Sequence, residues 1–213
     1  MNIKKKIKNN KNKNFIFKDL GIKKWKNTFY NMKKFFKKKC VIDEIWLVEH
    51  PSVFTLGKNF YNKKYYITKK ISMHFSNRGG GITYHGIGQQ LVYFLIKLKN
   101  RKKIFLLIDI IKKIVIKTLK HFNINGYYNK KKPGIYVNKK KICSIGLCVK
   151  NGYSMHGFSL NVDMDLFPFK LIIPCNDNKI EMTKMKFYNK NILINNVKKI
   201  LKKNIRLFME NFY

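Results

Sequence analysis

Apolar residues recur at two different periods along the chain, and each period predicts its own elements. Ile104, Leu107, Ile108, Ile111, Ile114, Val115, Leu119 and Phe122 follow the i, i+3, i+4 spacing of one helix face, with Lys112, Lys113, Lys117 and Lys120 mainly on its wet side. Trp25, Phe29, Met32 and Phe36 recur at helical spacing among lysines and predict a shorter amphipathic helix whose aromatic stripe is core. Val197, Ile200, Leu201, Ile205 and Phe208 mark one face of a third helix. Residues 41–48 predict a strand closed by Glu49-His50-Pro51, and 91–98 form a nearly continuous apolar run, as in a strand buried on both faces. Period two over 134–137, 141–149 and 154–162, with turn signals at Pro133-Gly134, Asn138 and Asn151-Gly152, predicts three antiparallel strands. Residues 65–75 read as a weakly patterned connection, 77–81 as a glycine-rich turn, and the stretch between Pro168 and Pro174 as irregular. Strands mixed with packed helices make the fold α/β (α+β) around a mixed β-sheet. Residues 1–14 are a basic low-complexity tail expected to be mobile, and 15–213 contain no repeat or linker and read as one domain.

Composition narrows the function classes. The 213 residues are 45% hydrophobic and 15% aromatic, enough for a folded core. No apolar run reaches the roughly 18 residues that span a bilayer, and the N-terminus lacks the apolar region of a secretory signal. A cytoplasmic, membrane-free protein is expected. Lys+Arg 47 against Asp+Glu 10 gives a net charge of +37. That charge points toward acidic partners or nucleic acid. The excess is nearly all Lys, however, and Asn, Ile, Phe and Tyr are inflated while Ala is missing. This is the composition an AT-rich coding sequence favours, so much of the charge reads as solvated surface. Arg is scarce although base readout favours it, and no specific nucleic acid is expected.

Cys40, Cys143, Cys148 and Cys175 contain no C-x-x-C pair and no zinc-like spacing with the five histidines, so no metal site is expected. Cys143 and Cys148 sit in alternating strands as small apolar residues. Cys175 follows a proline in a polar loop, a setting that suits an exposed nucleophile if a cation such as Lys stabilises its thiolate. The densest polar and glycine segment is Arg78-Gly79-Gly80-Gly81-Ile82-Thr83-Tyr84-His85-Gly86-Ile87-Gly88-Gln89. Its glycines allow close backbone approach to a ligand, and Arg78 offers a planar donor fork; the alternative reading of the segment is a tight hairpin-like turn. It lacks the Lys-Ser/Thr of a P-loop and is not a G-x-G-x-x-G opening a helix. Lys141, leading into an apolar strand, is the lysine placed to point into a site. His156 before Gly157 is either a satisfied core imidazole or part of an acyl pocket.

In this order the segments resemble the octanoyltransferases of lipoate biosynthesis, the lipoyl(octanoyl) transferase family. The stretches that carry the resemblance are Trp46-Leu47-Val48-Glu49-His50-Pro51 with Phe54-Thr55-Leu56-Gly57, Arg78 to Gln90, and Pro133-Gly134-Ile135-Tyr136-Val137. They continue with Lys141 to Leu147, His156-Gly157, Leu160-Asn161-Val162-Asp163-Met164-Asp165-Leu166 and Pro174-Cys175. The resemblance implies a fold shared with biotin and lipoate protein ligases. It also implies transfer of an octanoyl group from acyl carrier protein to a lysine of a lipoyl domain, without a cofactor. Cys175 matches the acyl-thioester nucleophile and Lys141 the lysine that lowers its pKa and serves as acid/base. Arg78 to His85, Ser144-Ile145-Gly146 and Gly157-Phe158-Ser159 match the substrate-binding stretches. The implied acceptors are lipoyl domains of 2-oxoacid dehydrogenase acyltransferase subunits and the glycine cleavage H protein.

The sequence departs from the family's pattern at Gly81, Ile87 and Asn176, none of which removes a proposed catalytic group. Three other readings remain. An ATP-dependent lipoate ligase of the same fold shares the Arg–Gly-Gly-Gly–Tyr-His signature but needs no nucleophilic Cys, so Pro174-Cys175 weighs against it. A non-catalytic basic nucleic-acid-binding module leaves the ordered motifs unexplained. A Cys/His hydrolase using Cys175 with His85 or His156 is a further possibility of the same thiol chemistry.

Overall fold

Among the described residues, ten strands and three α-helices follow one another as β1 (Phe15–Ile22), α1 (Trp25–Phe35), β2 (Asp43–Glu49), β3 (Val53–Leu56), β4 (Ser72–Phe75), β5 (Ile82–His85) and β6 (Gln89–Leu95), then α2 (Lys102–His121), β7 (Tyr127–Tyr128), β8 (Ile135–Val137), β9 (Lys140–Lys150), β10 (Tyr153–Asn161) and α3 (Ile194–Met209). The computed structural model describes residues 15–37, 42–60, 70–100, 102–172 and 180–213. The expected tail at 1–14, Cys40 and Cys175 lie outside them.

Seven strands form a mixed sheet in the order β1-β2-β6-β10-β9-β8-β7, parallel between β1 and β2 and antiparallel elsewhere. A second sheet, β4-β3-β5, stands beside it. Every residue of β2 and β6 is buried, as expected of central strands covered on both faces. On one face of the large sheet, Ile45, Leu47, Val92, Phe94, Phe158 and Leu160 pack with α2 and α3 in the main core. On the other face, Trp46, Val48, Leu91, Tyr93 and Leu95 meet Met32 and Phe35 of α1. A third cluster joins Phe54, Leu56, Ile82 and Tyr84 of the small sheet to Met164, Phe169 and Ile172.

The periodic helices and the 134–162 strands form where the pattern predicts. The connection expected over 65–75 requires correction, because Ser72–Phe75 is a strand paired in parallel with β3. Its residues are exposed or half-buried, so burial left no alternation to read. β1 escaped for the same reason: it is the outer strand of the large sheet, half-exposed along its length. Among the described residues no helix is long and apolar enough to cross a membrane.

Candidate active site

Residues directly opposite one another in a sheet share a face. Ser144 pairs with Ser159, which pairs with Leu91, which pairs with Val48. Gly146, Gly157, Tyr93 and Trp46 form the neighbouring row. The small members of both rows floor a cavity of about 470 Å³ between the large sheet and the small one. Arg78 to Thr83 and His85 line it from the small-sheet side, and Trp25 and His156 also contribute to its wall.

Lys141 reaches this cavity because of one extra residue. Ile135 pairs with Cys143 while the next residue, Tyr136, pairs with Lys141, so Ile142 is a bulge in β9. Strict alternation would put Lys141 on the same face as Cys143 and Ile145, against the helices. The bulge turns it onto the cavity side with Ser144 and Gly146. The side chain is 1% exposed, with its ammonium 5.8 Å from the Tyr136 ring centroid. Its backbone is gripped from outside the sheet: Lys141 N–H donates to the Glu181 carbonyl at 2.7 Å, and Thr183 N–H donates to the Lys141 carbonyl at 2.8 Å. Gly134 is required beside it, since a Cβ there would collide with Lys141 Cε.

A single hydrogen-bonded chain runs beneath the cavity. Arg78 Nη2–H donates to the Thr55 hydroxyl oxygen at 3.0 Å and to the Thr55 carbonyl at 2.6 Å. That leaves the Thr55 proton for His85 Nε2 at 3.3 Å, while His85 Nδ1–H donates to Gln89 Oε1 at 2.7 Å. Gln89 Nε2–H donates to Asn161 Oδ1 at 2.8 Å, and Asn161 Nδ2–H to the Thr183 carbonyl at 2.9 Å. The donor directions are mutually consistent only with a neutral His85. Burial agrees, holding its pKa down at about 3 with the neighbouring His50 adding to the effect.

A second chain pins Tyr93. Its hydroxyl donates to His50 Nε2 at 2.9 Å, and His50 Nδ1–H donates to the Lys23 carbonyl at 2.6 Å. The Trp25 side chain bonds to Tyr93 in turn. Burial lowers His50 to about 4 and raises the Tyr93 phenol, so both are neutral. His156 occupies the fourth position of β10, in a left-handed conformation (φ +65°) rare outside glycine and asparagine. It stacks on Phe29 and donates from Nε2 to Asn77 Oδ1 at 2.6 Å, and burial holds its pKa at about 3. Among the described residues of the wall the cationic groups are Arg78, Lys131, Lys132 and Lys141, and none is a carboxylate. Such a wall favours developing negative charge.

Of the residues singled out from sequence, Arg78, Gly79, Gly80, Gly81, Ile82, Thr83, His85, Lys141, Ser144, Ile145, Gly146, Gly157, Phe158 and Ser159 all line this one cavity. Tyr84 does not. Alternation along β5 sends it into the small-sheet core, where its hydroxyl meets Ser52 at 2.9 Å and its ring packs edge-on to Phe169. The thiols of Cys143 and Cys148 are free and buried, and burial pushes both upward in pKa, which suits the packing role expected of them. Among the described residues no cluster of His, Cys, Asp and Glu could hold a metal ion. Trp25, Leu91 and Tyr93 were not legible as site residues; the sheet register brings Leu91 and Tyr93 to the cavity, and the start of α1 brings Trp25.

Residues 27–206 match the model of the lipoyl protein ligase A/B catalytic domain. The chain is 46% identical over 205 residues to an octanoyltransferase of Buchnera aphidicola subsp. Acyrthosiphon pisum, covering 95% of this chain and 97% of that protein. It is 48% identical over 200 residues to an octanoyltransferase of Wigglesworthia glossinidia brevipalpis, covering 88% and 92%. Among solved structures, a bi-partite lipoate protein ligase of Thermoplasma acidophilum superposes with a TM-score of 0.67 at 12% identity, over 92% of this chain and 83% of that one. The biotin protein ligase of Aquifex aeolicus superposes with a TM-score of 0.56 at 13% identity, over 94% and 70%. At those identities the likeness is one of fold.

Proposed function

The chain belongs to the octanoyltransferases of the lipoyl protein ligase A/B catalytic family, and on that premise we propose that it moves an octanoyl group from acyl carrier protein to a lipoyl-domain lysine through Cys175 and Lys141. The observation that carries the reading is Lys141, turned by the β9 bulge into a cavity floored by Ser144, Gly146, Gly157 and Ser159. A buried lysine beside a small-residue channel suits an acyl chain with its carbonyl held near an ammonium.

In the first half-reaction the Cys175 thiolate attacks the carbonyl carbon of the donor thioester. A new C–S bond forms as the carrier's C–S bond breaks, and the departing carrier thiolate takes a proton. The Lys141 ammonium favours the attacking thiolate and is the source of that proton. In the second half-reaction the neutral amine of the acceptor lysine attacks the acyl-enzyme. The C–N bond forms, the Cys175 C–S bond breaks, and neutral Lys141 takes the proton the amine sheds. One thioester replaces another and an amide is the product, so no ATP or cofactor enters. Arg78 and the cationic wall oppose the charge of each tetrahedral oxyanion. The acceptors are the lipoyl domains of 2-oxoacid dehydrogenase acyltransferase subunits and the glycine cleavage H protein, and the setting is the cytoplasm.

The test is transfer in a mixture of this protein, octanoyl-acyl carrier protein and apo-lipoyl domain without nucleotide. Octanoylation of the domain, lost in Cys175→Ala, supports the reading. Modification that instead requires free octanoate and ATP, and persists in Cys175→Ala, assigns the protein to the ligases.

A further inference from the structure

We propose that Leu91 closes the far end of the acyl channel and thereby sets the longest chain the enzyme accepts. The inference deepens the octanoyltransferase reading and rests on it. Across the sheet, one row runs Ser144, Ser159, Leu91, Val48 and the other Gly146, Gly157, Tyr93, Trp46. Lys141 lies on β9, at the small end of both rows. A chain whose carbonyl sits by Lys141 therefore crosses β9 and β10 above nothing larger than a hydroxymethyl group. It then meets a step at β6, where side-chain size rises abruptly in both rows. Neighbouring strands lie about 4.8 Å apart, so the length available is counted in strands crossed.

The two residues of the step differ in kind. Tyr93 is held by His50 and Trp25 and presents a polar tip. Leu91 is 2% exposed, packs with Val48 and Trp46, and is the hydrocarbon surface a methyl terminus would abut. On the β10 side the width at Gly157 is fixed, because a Cβ there would collide with the Val92 carbonyl. Ser159, paired directly with both Ser144 and Leu91, is the floor position where added side-chain volume would fill the channel.

The experiment compares kcat/KM for butanoyl, octanoyl and dodecanoyl carrier protein in the wild type, Leu91→Ala and Ser159→Leu. Leu91→Ala is expected to raise the dodecanoyl-to-octanoyl ratio by about ten-fold or more, since each methylene a pocket gains or loses changes discrimination by that order. Ser159→Leu is expected to lower the octanoyl-to-butanoyl ratio by a similar factor. Leu91→Val carries the first expectation at smaller amplitude should the larger truncation fail to fold. Active variants that keep the wild-type chain-length profile would overturn the proposal while leaving the transferase reading intact. No transfer of any chain length by the wild type would overturn that reading instead. The channel is then read from the chain length of free fatty acid that most raises the thermal midpoint, which must lengthen in Leu91→Ala.

Discussion

The side-chain amide of Asn161 donates to the Thr183 carbonyl at 2.9 Å, and the Thr183 N–H donates onward to the carbonyl of Lys141 at 2.8 Å. Asn161 thus reaches the backbone of the proposed acid/base through Thr183. Gln89, His85, Thr55 and Arg78 extend the same chain to the opposite wall of the cavity. Asn161→Ala leaves buried partners unsatisfied and is expected to cost about 1–3 kcal/mol of stability, measured by urea unfolding. Turnover should fall more than the KM for acyl donor changes, because the floor of the channel is untouched. A proportional change in both would make Asn161 structural only.

Lys141→Met separates stability from chemistry. Removing a buried ammonium in favour of an apolar chain of similar length should leave the urea midpoint unchanged or raised. Transfer to the lipoyl domain should fall by about 10²–10⁴-fold, the usual worth of a positioned acid/base. An active Lys141→Met enzyme would remove Lys141 from the mechanism.

Gly134→Ala tests the same position from its neighbour. The added Cβ meets Lys141 Cε and lies 2.9 Å from the Cys143 carbonyl, so either β8 or the lysine must shift. We expect a cost of about 1–3 kcal/mol, typical of overpacking, and a loss of transfer out of proportion to it. Wild-type activity in a folded Gly134→Ala protein would show that the lysine does not depend on this contact.

Stability should fall with acid through three histidines. Burial lowers His50 to about 4 and His85 and His156 to about 3, against 6.5 when unfolded. Below pH 6.5 the unfolded chain binds protons at these rings that the folded chain refuses. Folding is therefore unpenalised above that pH and weakens steadily as pH drops toward the folded values. Each ring contributes a slope of about 1.4 kcal/mol per pH unit in that window. Urea unfolding from pH 7 to 5 should show it, and His156→Gln should flatten it. A slope unaffected by that change would mean His156 titrates normally.

The long periodic elements were legible because burial repeats many times within them: α2 carries its pattern for twenty residues. Most of β6 announced itself in the nearly continuous apolar run over 91–98. The ordered motifs also led to most of the cavity wall. What the sequence could not carry was register. The bulge at Ile142 that aims Lys141, and the pairing that sets Leu91 and Tyr93 against Ser159 and Gly157, depend on which strands meet. Leu91 and Tyr93 look like ordinary core residues in a linear reading. Tyr84 misled in the opposite sense: it belongs to the motif, yet strand alternation turns its side chain away from the cavity. β1 and β4, exposed at sheet edges, left no pattern to read.

The most direct measurement is the intact mass of the protein after exposure to octanoyl-acyl carrier protein, followed by peptide mapping and a chase with apo-lipoyl domain. We expect one octanoyl adduct on Cys175 that moves to the domain without ATP and persists unchased in Lys141→Met molecules that become acylated. An unmodified Cys175 in enzyme that nonetheless octanoylates the domain would contradict the acyl-enzyme mechanism.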